Sequence, residues 1–185
     1  MKQSILIIVG GALASLLAIP QMAAFFARSA RSESAMRETD EIRQTFKLTP
    51  GTRVEISSIR GPVEIETSNS DTAEILITRT AENPADLQRD KITIDNKSGR
   101  LIIKGEVERT PGSKSPNVNH HAKLKLPRNI NLATSSVSGS VQLGDLNGQL
   151  EVSSVSGSVK AGSVDGIVQV NSVSGSVLRL RENVQ

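Results

Sequence analysis

The sequence predicts an all-β fold: a flattened two-sheet β-solenoid, β-helix-like, with about 18 residues per coil, preceded by an N-terminal hydrophobic helix. Three observations carry that expectation. The stretch SSVSGSV occupies residues 135–141 and 153–159 and returns as NSVSGSV at 171–177. Gly148 and Gly166 stand midway between Gly139, Gly157 and Gly175, so a glycine recurs every nine residues. Around each glycine apolar residues alternate with polar ones, the pattern of a strand with one buried face.

Residues 1–30 come first. Lys2 is followed by an uncharged, mostly apolar run from Ser4 to Ala27, which Arg28 closes. A run of that length can cross a bilayer core, which takes ~20 apolar residues as a helix. Pro20 and Gln21 interrupt it, however, and Ala23, Ala24, Ala27, Ser29 and Ala30 are the small residues found near a signal-peptidase site. The segment is a signal peptide or a membrane anchor, and both outcomes export the remainder to the periplasm or cell envelope. The membrane is a partner if the segment stays uncleaved, as an inner-membrane anchor. Residues 31–45 carry mixed charge and few apolar side chains, which reads as a charged tether or a short exposed helix. Residues 46–185 are the β-strand-repeat domain.

Composition narrows what that domain can do. Lys2 and Arg28 are two of the 22 basic residues, leaving 20 against 19 acidic ones. Beyond residue 30 the chain is therefore nearly neutral, and Phe46 is its one aromatic residue. The basic patch and stacking faces of a nucleic-acid binder are both missing. With no cysteine, disulfides, thiolate metal sites and a lipid-modified cysteine are excluded.

Ahead of the repeat, VEISS (54–58), VEIET (63–67), AEILITRT (73–80), KITID (91–95) and RLIIKG (100–105) read as strands, with turns at TPG (49–51) and NKSG (96–99). NPADLQRD (83–90) reads as a helical interruption, and VERTPGSKSPNVNHH (107–121) as an exposed loop rich in Pro and Ser.

The repeat follows a grammar. Two residues before each glycine stands Val137, Leu146, Val155, Val164 or Val173, and two after it Val141, Leu150, Val159, Val168 or Val177. Four after it come Leu143, Val152, Ala161 and Val170, while Gln142, Glu151, Lys160 and Gln169 face outward. Each nonapeptide is expected to be one short strand, with glycine and a preceding Ser, Asn or Asp at the bend. Two nonapeptides per coil then place residues eighteen apart one above another at the ~4.8 Å strand spacing. Val137 would lie under Val155 and Val173, and Val141 under Val159 and Val177. Each buried valine is worth roughly 1.5–3 kcal/mol, so repetition supplies a core that the missing aromatics would otherwise provide. Ser138, Ser156 and Ser174 then form a surface ladder, whose hydroxyls either bridge successive coils or present a polar binding strip.

SSIRGPV (57–63) echoes the repeat, with Gly61 in the glycine place between Ile59 and Val63. Together with TFKLTPGTRVEISSIRGPVEIET (45–67), AEILITRTA (73–81), ITIDNKSGRLIIKG (92–105) and AKLKLPRNINLATSSVSGSV (122–141), it resembles the bacterial putative-adhesin β-strand-repeat domain family over about residues 45–185. The resemblance implies a β-solenoid-like domain of exported or membrane-linked proteins and carries over no binding residues.

Chemistry-bearing patterns are sparse. A calcium nonapeptide coil needs a Gly-Gly-x-Gly-x-Asp turn, whereas here only Asp165 precedes a repeat glycine. His120 and His121 are adjacent, so on a strand they would point to opposite faces and share no metal; a solvated loop is their expected setting. Asp145, Asp165 and Glu151 fall at repeat positions that do not converge as a glycosidase pair must. No G-x-S-x-G accompanies the serines. The expectation is no enzyme and no cofactor: a non-enzymatic exported envelope module that binds a protein or envelope polymer, or acts as a scaffold. Two alternatives stand beside it. One is self-association through the C-terminal end, where Arg179, Arg181 and Glu182 are gatekeepers against edge pairing. The other is a polysaccharide-binding or polysaccharide-active β-helix, against which the missing aromatics count.

Overall fold

The computed structural model describes residues 37–109, 111–136, 138–154, 157–172 and 175–179. The helix expected within residues 1–30, the valine column Val137, Val155 and Val173, and Ser156 and Ser174 lie outside the described residues. What is described is mostly strand, in mixed sheets, with one short helix.

β1 (Glu38–Lys47) opens the domain, followed by β2 (Arg53–Ser57), β3 (Val63–Ser68) and β4 (Thr72–Ala81). The tether or exposed helix expected over 31–45 is therefore strand from Glu38 onward, pairing antiparallel with β4 along its length. Ile42 and Phe46, four apart, suit a helix face or a strand face equally; the strand prevails because both pack on the core. α1 (Pro84–Arg89) follows, with the Asn83 side chain accepting from the Ala85 amide at its start and proline in its first turn. β5 (Asp90–Lys97) and β6 (Arg100–Val107) form a hairpin. β7 (Val118–Pro127) and β8 (Asn131–Ser136) lead into the repeat.

The repeat itself contains β9 (Val141–Leu143), β10 (Leu146–Asn147), β11 (Leu150–Ser154), β12 (Val159–Ala161), β13 (Val164–Asp165), β14 (Val168–Ser172) and β15 (Val177–Arg179). Residues eighteen apart pair in parallel: Leu132 with Leu150 and Val168, and Val141 with Val159 and Val177. The expectation of one strand per nonapeptide is corrected. Among the described residues, three strands of unequal length fill each of the two eighteen-residue units from β9 to β11 and from β12 to β14, so the structural period is eighteen rather than nine. Gly144 and Gly162 cut short the strands after Gly139 and Gly157, whereas no glycine interrupts Leu150–Ser154 or Val168–Ser172.

The expected two sheets accordingly become three. Among the described residues a seven-stranded sheet runs β1-β4-β7-β3-β9-β12-β15, a six-stranded one β14-β11-β8-β2-β6-β5, and β10 pairs with β13 in a two-stranded one. The SSIRGPV echo joins the same registry, since Ser57 lies beside Ser135 and Val63 beside Val141. Alternation sends Val54, Ile56, Leu101, Leu132, Leu150 and Val152 inward from one large sheet and Val63, Ile65, Ile77, Leu124, Val141 and Val159 from the other, into one shared core. Toward β14 that core opens. Val164, Val168 and Val170 are half-buried where Leu146, Leu150 and Val152, one repeat earlier, are buried, and Ile167 is 60 % exposed.

Candidate binding site

The bend from β2 to β3 positions the most unusual cluster of side chains. Ser58 there has φ 57°, a left-handed conformation uncommon for a residue with a Cβ. Arg60 forms a parallel bridge with Ser138, so in the repeat registry it occupies the place that serine takes later. The Gly61 amide donates to the Ser138 carbonyl at 2.9 Å, closing that layer.

On its other side the bend is clamped to β7. The Arg60 amide donates to His120 Nδ1 at 3.1 Å, and the His120 amide donates to the Arg60 carbonyl at 2.7 Å. Because Nδ1 accepts, Nε2 carries the ring proton, and it donates to Asp90 Oδ1 at 2.8 Å. Both side chains are 1 % exposed. The solvated loop expected for the histidine pair is corrected here: strand β7 begins at Val118 and buries His120. His121, pointing to the opposite face as alternation requires, meets Glu64 Oε1 at 2.8 Å on the outside. That hydrogen bond holds the Glu64 carboxyl below its ordinary range.

From this clamp the Arg60 guanidinium reaches out, its Nη1 donating to the Pro116 carbonyl at 2.7 Å. It borders a groove of about 670 Å³ with Lys104, Arg109, Ser58, Ser115 and Ser138. Glu106 is the groove's one acid, and Lys104 Nζ lies 3.0 Å from it. The arrangement can hold an anion by guanidinium and hydroxyl donors.

Two further surfaces are sheet faces. Across the outer face of the seven-stranded sheet, register aligns Arg43, Leu76, Lys123, Glu64, Gln142 and Lys160 in one row of mixed charge. Shallow grooves of about 560 and 550 Å³ flank Lys123 and Leu124 there. The six-stranded sheet carries an ion network: Glu55 Oε1 is 2.7 Å from Arg53 Nε and 2.6 Å from Arg100 Nη2, and Arg53 Nη2 is 3.1 Å from Glu151. The hydrogen bond from Arg53, then that from Arg100, lowers the Glu55 pKa, and Glu55 followed by Glu151 raises that of Arg53. A carboxyl lowered in the folded state contributes stability above its unfolded pKa and loses it as pH falls through the folded value. Glu55→Gln is thus expected to remove under about 1 kcal/mol at pH 7 and to flatten the acid limb of a stability profile below about pH 4. Urea titrations across that range check it; an unchanged limb refutes the assignment.

Of the residues the repeat singled out, Val141 and Val159 are buried, and Val177 lies in register with them on β15. Gly139, Gly157, Gly166 and Gly175 have positive φ, while Gly148 does not. Ser138 is exposed at the groove. Side-chain bridges between layers run through other residues eighteen apart: Asn147 Nδ2 donates to Asn129 Oδ1 at 3.0 Å, the Gln149 amide to Asn131 Oδ1 at 3.0 Å, and the Ser163 amide to Asp145 Oδ1 at 2.9 Å. The cationic groove was not foreseen, although its one sequence signal was present: Arg60 departs from serine at the echoed repeat position.

No family model matches the sequence, and no curated protein matches it. Among solved structures the chain is similar to a "putative cell adhesion protein" from Clostridium sporogenes, at 8% identity and TM-score 0.41, covering 77% of this chain and 99% of that one. It is similar to a "putative adhesin" from Bacteroides fragilis at 12% identity and TM-score 0.34, over 70% of this chain and 61% of that one. A "putative lipid binding protein" from Parabacteroides distasonis is similar at 13% identity and TM-score 0.29, over 75% and 73% of the two chains.

Proposed function

We propose that this chain is a non-enzymatic, exported cell-envelope protein whose short β-solenoid-like stack binds a protein or envelope polymer, or acts as a scaffold. The observation that carries this reading is the parallel, in-register pairing of residues eighteen apart, which lays outward side chains in straight rows on a flat sheet face. Three of the surface carboxylates are paired with cationic or imidazole partners. Glu55 is held by two arginines, Glu64 by His121 and more distantly by Lys123, and Asp145 lies 3.9 Å from Arg128. The apolar run within residues 1–30 supports export, as a cleaved signal or an inner-membrane anchor.

Expression of the full chain in a two-membrane bacterial host tests this. Added protease is expected to digest the domain in spheroplasts and spare it in intact cells. Digestion only after the inner membrane is lysed overturns export. Turnover of a polysaccharide or ester, abolished by a point substitution, overturns the non-enzymatic reading.

A second reading, self-association through the β14 end, is favoured by the exposed Ile167 beside half-buried Val164, Val168 and Val170. The occupant would be a second copy pairing along β14. Light scattering of the chain and of Ile167→Lys decides: a concentration-dependent mass lost in the variant supports it, and identical monomers dismiss it.

A further inference from the structure

We infer that the groove beside Arg60 is an oxyanion site for sulfated or phosphorylated groups on an extended polymer; this rests on the reading of the chain as a binding module. Charge sets the groove apart. Beyond residue 30 basic and acidic residues nearly balance, yet three cations, Arg60, Lys104 and Arg109, face one acid in the groove. Lys104 and Glu106 satisfy each other at 3.0 Å. Arg60 and Arg109 are left without a carboxylate partner among the described residues.

The groove is also preorganised. Arg60 is fixed through its amide and carbonyl by His120, and one guanidinium nitrogen is held on the Pro116 carbonyl. A guanidinium has five N–H donors, so the rest of its fork remains available to a tetrahedral or planar oxyanion. Ser58, held at positive φ, adds its hydroxyl to those of Ser115 and Ser138 on the same rim. Backbone held in such a conformation clusters at ligand sites.

No aromatic residue lines the groove, so there is no face on which a neutral sugar ring could stack, and recognition falls on the charged group. Its volume is within the range of small-ligand sites and exceeds what a lone phosphate fills, leaving room for the unit that carries the anion. Ser138 stands at its edge and adds a hydroxyl donor there.

Titration calorimetry of the full chain with dextran sulfate, unmodified dextran, inorganic sulfate and phosphatidylglycerol vesicles tests the site. Dextran sulfate is expected to bind and unmodified dextran not. Arg109→Gln, an exposed change, should weaken binding about tenfold, and Arg60→Gln with it about a hundredfold. Lys47→Gln with Lys97→Gln, exposed at the ends of β1 and β5, should change it less than twofold. Inorganic sulfate should compete, weakly. Equal losses from the Lys47 and Lys97 pair mean diffuse attraction and overturn the site, as does an unchanged Arg109→Gln. Arginine-dependent binding to vesicles without binding to dextran sulfate overturns the polymer assignment. Failure at the groove with dextran sulfate bound elsewhere leaves the binding-module reading intact, so the two are separable.

Discussion

Gly157→Ala is expected to destabilise the domain by about 2–4 kcal/mol, well beyond what its backbone conformation alone explains. A Cβ built on Gly157 would lie 1.7 Å from the Gly139 carbonyl oxygen, and one on Gly139 would lie 2.0 Å from that of Gly61. Gly61 in turn would press on the His120 carbonyl at 2.0 Å. These glycines form one column from β7 down through successive layers, each bare Cα seated on the carbonyl below. The atom in the way is backbone in every case, so no rotamer change relieves it, and the layers would have to part. Gly99→Ala is the control. It too has positive φ, 73°, but open space around its Cα, so it should cost only about 1 kcal/mol. Urea unfolding of both variants measures the difference, which combines the interlayer contact with the greater strain of φ 153° over the left-handed φ 73°. Equal costs would mean that the glycines serve bend conformation alone.

That column marks how far sequence reasoning reaches. Identical valines and glycines eighteen apart are a direct signal of registry, because parallel in-register pairing puts like upon like. The same glycines suggested bends, since positive φ is a property of one residue, whereas a close approach involves a carbonyl eighteen or more residues away. Unequal strand lengths were encoded by Gly144 and Gly162, but the nine-residue recurrence of the other glycines masked them. β1 was hidden for another reason: its two core-facing residues, Ile42 and Phe46, flank an exposed Gln44, leaving too little alternation to separate strand from helix. His120 was the least legible. Its flanks, Asn119 and His121, are polar, and the partner that lets it be buried, Asp90, lies thirty residues earlier at the end of α1. Burial of a polar side chain depends on such a partner, which composition and period do not disclose.

Asp90→Ala is expected to cost about 1–3 kcal/mol, because it strands the Nε2 proton of the neutral His120 ring in a site closed to water. The accounting is specific to this geometry. His120 cannot escape by switching tautomers, since Nδ1 is already the acceptor for the Arg60 amide. Nor can Asp90 simply be absent from the backbone network, for Arg79 Nη1 donates to the carbonyls of Asp90 and Leu87, and Arg79 Nη2 to Asp40, tying β1, β4 and the α1–β5 junction together. Removing the carboxylate leaves those backbone contacts and deletes the one group that satisfies the imidazole. His120→Ala should be comparably costly, about 3 kcal/mol, from the cavity and the orphaned Arg60 amide. The double variant should then cost well under the sum of the two, since a carboxylate without its imidazole and an imidazole without its carboxylate are penalties that cannot both be incurred. Chemical denaturation of the three variants gives the coupling directly. At temperatures where Asp90→Ala remains folded, its affinity for dextran sulfate should also fall, because the imidazole that aims the Arg60 bend has lost its anchor. Additive stabilities would show that Asp90 and His120 act independently, and an undiminished affinity would show that the bend holds Arg60 without them.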